Sequence, residues 1–311
     1  MTARGSTGTR FPAWLLWALL AVLCWGLWAI TAKLIGDALT AAQSQGVSTL
    51  GIFPVLVFLA KFAKGSRVRG PRGWLAALTA GVTVCLGNVA YYHALKIGGK
   101  AATVVSITAL YPLVTVLLAI VLLAEKLNWV QAAGVALSLV SITIFNISSV
   151  EGFLTGWLAY ALVPVVLWGV GGLLQKISTN HISGEASTFW FLIAFVPVAI
   201  ALFLWEPLRS MPTPRTWALA IALGLLFSLG NLALLFAFAR DGKASIIAPL
   251  AGLYPAVSIP VAILFLGERV TPREWGGIAL ALLAVAALSC ELKAKSIEEK
   301  LDTEEVRSKA N

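Results

Sequence analysis

Residues 99–112 read GKAATVVSITALYP, and residues 242–255 read GKASIIAPLAGLYP. The strings lie 143 positions apart, and the same shift carries a set of uncommon residues onto their own kind without a gap. Lys100 falls on Lys243, Tyr111 on Tyr254, Asn88 on Asn231 and Glu125 on Glu268. Trp25-Gly26 falls on Trp168-Gly169, Lys33 on Lys176, Pro54 on Pro197 and Trp74 on Trp217. Between Leu86 and Leu137 about a third of positions match their partners. Chance likeness among Leu-, Ala- and Val-rich segments does not reproduce Trp, Asn, Lys, Tyr-Pro and Glu on one offset. The chain is an internal duplication.

A unit of this composition belongs in lipid. Only 12% of the 311 residues are charged and 59% are hydrophobic, whereas a soluble domain carries roughly a quarter charged residues. Uncharged runs of about 20 residues, the length of a bilayer-spanning helix, recur throughout. Ten helices are expected, at 12–35, 43–62, 73–96, 101–123, 128–147, 155–178, 186–206, 216–239, 244–266 and 272–290. Each copy holds five, an odd number, so the second copy enters the membrane from the opposite side. The expected fold is all-α and integral to the membrane, with ten transmembrane helices as two inverted-topology five-helix repeats. Repeat 1 spans 12–147 and repeat 2 spans 155–290, between a cytoplasmic N-terminus (1–11) and a charged cytoplasmic tail (291–311). Such a pair can open alternately to either side around a solute held near the midplane.

Local chemistry supports the helix ends. Thr271-Pro272-Arg273-Glu274 reads as a capping box, and Asn128 with Gln131 offers the same device one repeat earlier. Pro112, Pro164, Pro197, Pro249, Pro255 and Pro260 fall within apolar runs and mark kinks, since lipid offers no water to the freed carbonyls. With the N-terminus inside, the inner side collects roughly sixteen Lys and Arg and the outer side about seven, which puts both termini in the cytoplasm.

Several function classes are excluded or disfavoured. The net charge of +9 sits at the ends of apolar runs, a membrane-orientation pattern rather than a nucleic-acid surface. Cys24, Cys85 and Cys290 lie in separate runs and imply neither a disulfide nor a metal framework. There is no HExxH, no paired aspartate site and no Cys-His pairing, so no enzyme, metal or cofactor is expected. A channel would need a recurring pore signature, and currents at channel rates would reveal one.

The block LYPLVTVLLAIVLLAEKLNWVQAAGVAL from Leu110, its echo LYPAVSIPVAILFLGERVTPREWGGIAL from Leu253, and Trp25-Gly26 carry a family likeness. With these repeats the chain resembles the drug/metabolite transporter superfamily in its ten-helix EamA form, over roughly residues 12–290. Within it, the chain is similar to the YddG-type bacterial amino-acid exporters. That resemblance implies a basket of ten helices around an aromatic-lined cavity, with Trp168, Tyr111 and the position around Asn88 on it. Ala109 stands where those relatives carry a Tyr, so a broader neutral amino-acid range is implied.

The residues themselves point the same way. Trp25, Trp28 and Trp168 sit too deep to be interfacial anchors and are expected to line a cavity, and Gln175 shares a face with Trp168. Asn88, Tyr92 and Lys96 fall four residues apart on one helix face, and Thr108, Tyr111 and Thr115 form a polar stripe beside Pro112. Asn231 and Tyr254 repeat Asn88 and Tyr111. The substrate-binding set is therefore Trp25, Trp28, Asn88, Tyr92, Thr108, Tyr111, Trp168, Gln175, Asn231 and Tyr254. Glu125 and Glu268 are expected to hydrogen-bond the turn that follows them, and Lys33 and Lys176 to snorkel. No expected helix carries a carboxylate at its middle, where ion-coupled carriers commonly place one. The expectation is gradient-driven export of a small neutral or zwitterionic metabolite, an amino acid foremost, by a multi-pass monomer of the bacterial inner membrane. The rival is exchange of an organic phosphate or nucleotide-sugar, for which Lys33, Lys96, Lys176 and Arg240 would supply cations.

Overall fold

A computed structural model of the chain describes residues 13–62, 71–123, 128–147, 156–238 and 252–288. Its α-helices are α1 (Ala13–Ile35), α2 (Ala41–Ser48), α3 (Phe53–Phe62), α4 (Pro71–Lys96), α5 (Ala101–Thr108), α6 (Tyr111–Leu123) and α7 (Trp129–Ile147) in the first repeat. The second repeat holds α8 (Gly156–Thr179), α9 (Gly184–Ile193), α10 (Phe195–Trp205), α11 (Pro214–Phe238), α12 (Pro255–Leu266) and α13 (Pro272–Leu288). Among the described residues seven stretches are long and apolar enough to cross a membrane, and two shorter apolar helices accompany them. The second Gly-Lys corner with Asp241 and Lys243, Glu125, Arg240, Pro249, Cys290, the loop at 63–70, the N-terminal 1–12 and the charged tail lie outside the described residues.

Among the described residues three of the expected helices are broken, each beside a proline, and of the segment expected at 244–266 the described part is helical only from Pro255. The segment expected at 43–62 is α2 and α3 joined by a 3-10 turn over Thr49–Ile52, just before Pro54. The segment expected at 101–123 stops at Thr108 and restarts at Tyr111, next to Pro112. The segment at 186–206 is interrupted at Ala194, three residues before Pro197. A proline lacks the donor for the preceding turn and crowds the residue before it, so the ladder lapses just upstream. Pro164 and Pro260 instead sit inside unbroken α8 and α12.

Contacts across the bundle fix the relative direction of the repeats. Tyr91 donates to Ala29 O, and Lys33 one turn further along α1 donates to Leu95 O and Gly99 O, so α1 and α4 run parallel. Gly87 meets Trp168 and Gly171 meets Val84, so numbers rise along α8 as they fall along α4. Thus α8 is antiparallel to α4 and hence to α1. Since α8 is the repeat image of α1, the two copies are inverted with respect to the bundle axis.

Glycine notches hold the copies together in exchange-symmetric pairs. A Cβ at Gly87 would stand 2.6 Å from Trp168 Nε1, and one at Gly230 would stand 2.4 Å from Trp25 Nε1. Gly26 faces Val257 and Gly169 faces Val114, each at 2.5 Å. Gly81 would put a Cβ 2.2 Å from Phe191 O, and Gly224 would put one 1.7 Å from Ser48 O. In every pair both partners move by 143 positions. Close backbone approach through small residues is how helices associate in lipid, where no hydrophobic driving force separates them from the solvent. The resulting pairs are α4 with α8 and α1 with α11, with α7 against α13.

Candidate functional site

A cavity of about 160 Å³ lies where these pairs meet. Trp25 and Trp28 reach it from α1, Tyr111 from the start of α6, and Trp168 and Gln175 from α8. Phe227 and Asn231 come from α11, Phe191 from α9, and Tyr254 from the turn ahead of α12. Trp25 with Trp168, Tyr111 with Tyr254, and Val84 with Phe227 are repeat images, so the cavity sits on the pseudo-two-fold axis. Among the described residues, no Asp, Glu, Lys, Arg or His lines it. Its polar groups are amides, hydroxyls and indoles: Asn231 Nδ2 is 2.8 Å from Phe227 O, and Trp168 Nε1 donates to Val84 O at 3.3 Å.

Aromatic packing closes one side. The Trp28 ring stacks on Tyr91 at 5.0 Å and lies 5.8 Å from both Trp168 and Phe227. Tyr91 is fully buried, and Tyr111 meets Trp168 edge-on at 6.3 Å. Beyond this layer, at the end of the bundle that holds the Gly98–Lys100 corner, polar bonds tie the corner down, some within the first repeat and some across to the second. Lys33 Nζ donates to Leu95 O at 2.8 Å and Gly99 O at 2.7 Å. Lys100 pairs with Glu274 at 2.7 Å and also donates to Arg269 O. Glu268 accepts from the N–H groups of Ala101 and Ala102, at 2.7 and 3.0 Å. A carboxylate there satisfies the free amides at the N-terminus of α5 and meets the positive end of its dipole. The corner end is thereby latched. From the aromatic layer the cavity runs the other way, along α8 to Gln175 and along α11 to Leu234.

Seven of the ten residues expected at the site line this cavity: Trp25, Trp28, Tyr111, Trp168, Gln175, Asn231 and Tyr254. Asn88, Tyr92 and Thr108 do not. Thr108 is fully buried, donates to Val105 O, and has its hydroxyl 3.4 Å from that of Tyr254. Asn88 and Tyr92 are buried on α4 behind Trp28, on the corner side of the cavity. Glu268 does not bond its own turn, as expected from sequence, but reaches the other repeat. Lys33 and Lys96 cap carbonyls at the corner end, Lys96 that of Gly36, and neither faces the cavity. His93 packs edge-on against Tyr160 at 4.3 Å. Missed by the sequence reading were Val84, Gly172, Phe191, Phe227 and Leu234. Apolar residues in an apolar chain give no local signal, although Val84 and Phe227 lie one turn before Asn88 and Asn231 and are images of each other.

A sequence model of the EamA-like transporter family matches residues 12–147 and again 155–290. The chain belongs to the EamA-like transporter family. It is therefore a multi-pass membrane transporter and not an enzyme. A probable terminal-alkyne amino-acid exporter of Streptantibioticus cattleyicolor is 29% identical over 284 residues, covering 88% of this chain and 92% of that one. A probable amino-acid metabolite efflux pump of Escherichia coli is 25% identical over 285 residues, covering 85% and 91%. A protein of known crystal structure aligns with this transporter at a TM-score of 0.62 and 18% identity, over 93% of this chain and 99% of its own. That last likeness bears on the fold alone.

Proposed function

We propose that this transporter exports small neutral or zwitterionic metabolites, amino acids foremost, across a bacterial inner membrane by alternating access, with both termini cytoplasmic. The observation that carries the reading is the cavity lining: aromatic rings, amides and hydroxyls, with no carboxylate, ammonium, guanidinium or imidazole among the described residues. A zwitterion can be held there by dipoles and ring faces, whereas a phosphate ester needs fixed cations. The cavity is also well below the ~300–1,000 Å³ of a drug-sized pocket, too small for a nucleotide-sugar. The names of the two relatives, both amino-acid exporters or efflux pumps by description, lean the same way.

Purified protein in liposomes tests this with a panel of radiolabelled amino acids and sugar phosphates. Counterflow of at least one amino acid, independent of an imposed proton gradient, is expected; saturable uptake of sugar phosphates alone would overturn the reading. Trp168→Ala removes the ring shared by α4, α6 and the cavity and should lower transport about tenfold or more, equivalent to ~1.4 kcal/mol of binding.

A further inference from the structure

Five buried side-chain polar atoms have no hydrogen-bond partner among the described residues: Trp25 Nε1, Trp28 Nε1, Ser44 Oγ, Gln45 Oε1 and Asn88 Oδ1. All belong to the first repeat. Four of them, those of Trp28, Ser44, Gln45 and Asn88, lie in the corner-end halves of α1, α2 and α4, and both α1 and α2 pack on α4. At 1.5 Å rise per residue, Gln45 lies about 6 Å from the corner-end start of α2, Trp28 about 10 Å from the end of α1, and Asn88 about 12 Å from the end of α4. The Tyr92 hydroxyl stands near both Trp28 and Ser48, but not in the geometry that would satisfy the Trp28 indole N–H. Trp28 lines the cavity itself, and Ser44, Gln45 and Asn88 form a layer to its corner side on α2 and α4.

The polarity of α2 is out of keeping with its surroundings. Gln43, Ser44, Gln45, Ser48 and Thr49 are all buried, at 9% exposure or less. At the image positions of the second repeat stand Ala186, Ser187, Thr188, Phe191 and Leu192, so the same helix in the same fold packs with far less polarity. An unmade bond in a dry interior is costly, and an apolar side chain of the same size would remove that cost. Polar atoms left this way are accounted for if the layer is wet or occupied in another state of the transport cycle.

We propose that this layer is a second solute subsite, nearer the corner end than the cavity, which takes an ammonium-bearing zwitterion when the latch opens. The free carbonyls of Gln45 and Asn88 accept from the ammonium, while the Trp28 N–H and the Ser44 hydroxyl donate to the carboxylate. Amide dipoles rather than a carboxylate hold the cation loosely enough for it to leave, which transit requires. The inference rests on the transport reading and adds a station and an ammonium requirement to it.

The test uses the full chain with Cys24, Cys85 and Cys290 replaced by Ala, carrying either Ser44→Cys or its image Ser187→Cys. Both are probed in liposomes with a membrane-impermeant thiol reagent, with and without the latch substitutions Lys100→Ala and Glu274→Gln. Ser44→Cys should react several-fold faster once the latch is removed, as a minor open state becomes more populated, while Ser187→Cys stays slow. A mixture of the twenty common amino acids should protect Ser44→Cys, and neither ethylamine nor propionate should do so. Equal slow labelling at both positions overturns the proposal, as does fast labelling that amino acids leave unchanged. In the second case, amino-acid uptake by the parent protein would leave the transport reading standing and remove the subsite alone. Gln45→Leu supplies a check free of labelling: its unfolding midpoint should rise and its stabilisation by amino acids should vanish, whereas a lowered midpoint counts against the proposal.

Discussion

The two repeats share one scaffold but differ in how their polar atoms are satisfied. Trp25 and Trp168 are images, each seated in the glycine notch of the opposite repeat. Yet Trp168 donates to Val84 O and Trp25 has no acceptor. Ser187 is bonded by Ser178 at 2.9 Å, but the image of Ser178 is Ile35, so Ser44 has lost its partner. Asn231 donates to Phe227 O, and Asn88 keeps an orphaned oxygen. Identical residues in equivalent backbone positions thus end in different hydrogen-bonded states, at Ser44 because its neighbour diverged. At Ser44 the partner side chain was replaced; in the two Trp notches the acceptor is a backbone carbonyl present in both repeats, and it is taken by Trp168 at Val84 O but by Asn231 at Phe227 O.

The strongest way to break this comparison is through the part the repeats share. Gly224→Ala and Gly81→Ala each drive a Cβ into a carbonyl oxygen of the facing helix, and both should destabilise by ~3 kcal/mol. Gly276→Ala, with open space around it, should be neutral or mildly stabilising. Unfolding midpoints of purified protein in detergent would check the set. A large cost at one notch and none at its image would mean the scaffold is less symmetric than its contacts.

A smaller effect sharpens the difference. Ser187→Ala breaks a buried bond and should cost about 1 kcal/mol, whereas Ser44→Ala removes an unpaired hydroxyl and should cost nothing or stabilise. The same midpoint measurement reads both, and equal losses would show that Ser44 is satisfied in solution.

The smallest effect concerns the latch. Glu274 both pairs with Lys100 and closes a capping box with Thr271, while its image Gln131 serves the box with Asn128. Glu274→Gln makes the corner end chemically like its image and retains the cap. Because Lys100 is partly exposed, the loss should be only ~0.2–1 kcal/mol, and smaller still in high salt. A larger loss that salt does not reduce would assign Glu274 a role beyond the ion pair.

Much of this was legible in advance. The offset of 143 foretells Trp25 with Trp168 and Tyr111 with Tyr254 at one cavity, because a two-fold axis must pass between images. Asn231 and Gln175 follow from helical spacing. Asn88 and Tyr92 share the same spacing but lie to the corner side, since the seating of α4 against α8 is decided by the Gly87 notch and not by polarity. Glu268 reads as a local cap, and its true acceptor role across the repeats depends on where α5 begins.

The sequence alone determines that the chain lives in lipid, is duplicated, and holds its halves in opposite directions. Composition, the fixed offset and an odd helix count are properties of one strand of residues and need no coordinates. Which polar groups meet the cavity, which are stranded behind it, and that the corner end is latched were decided by tertiary packing alone. Those outcomes depend on pairs of side chains from helices distant in sequence, and on the small rotations that glycine contacts allow.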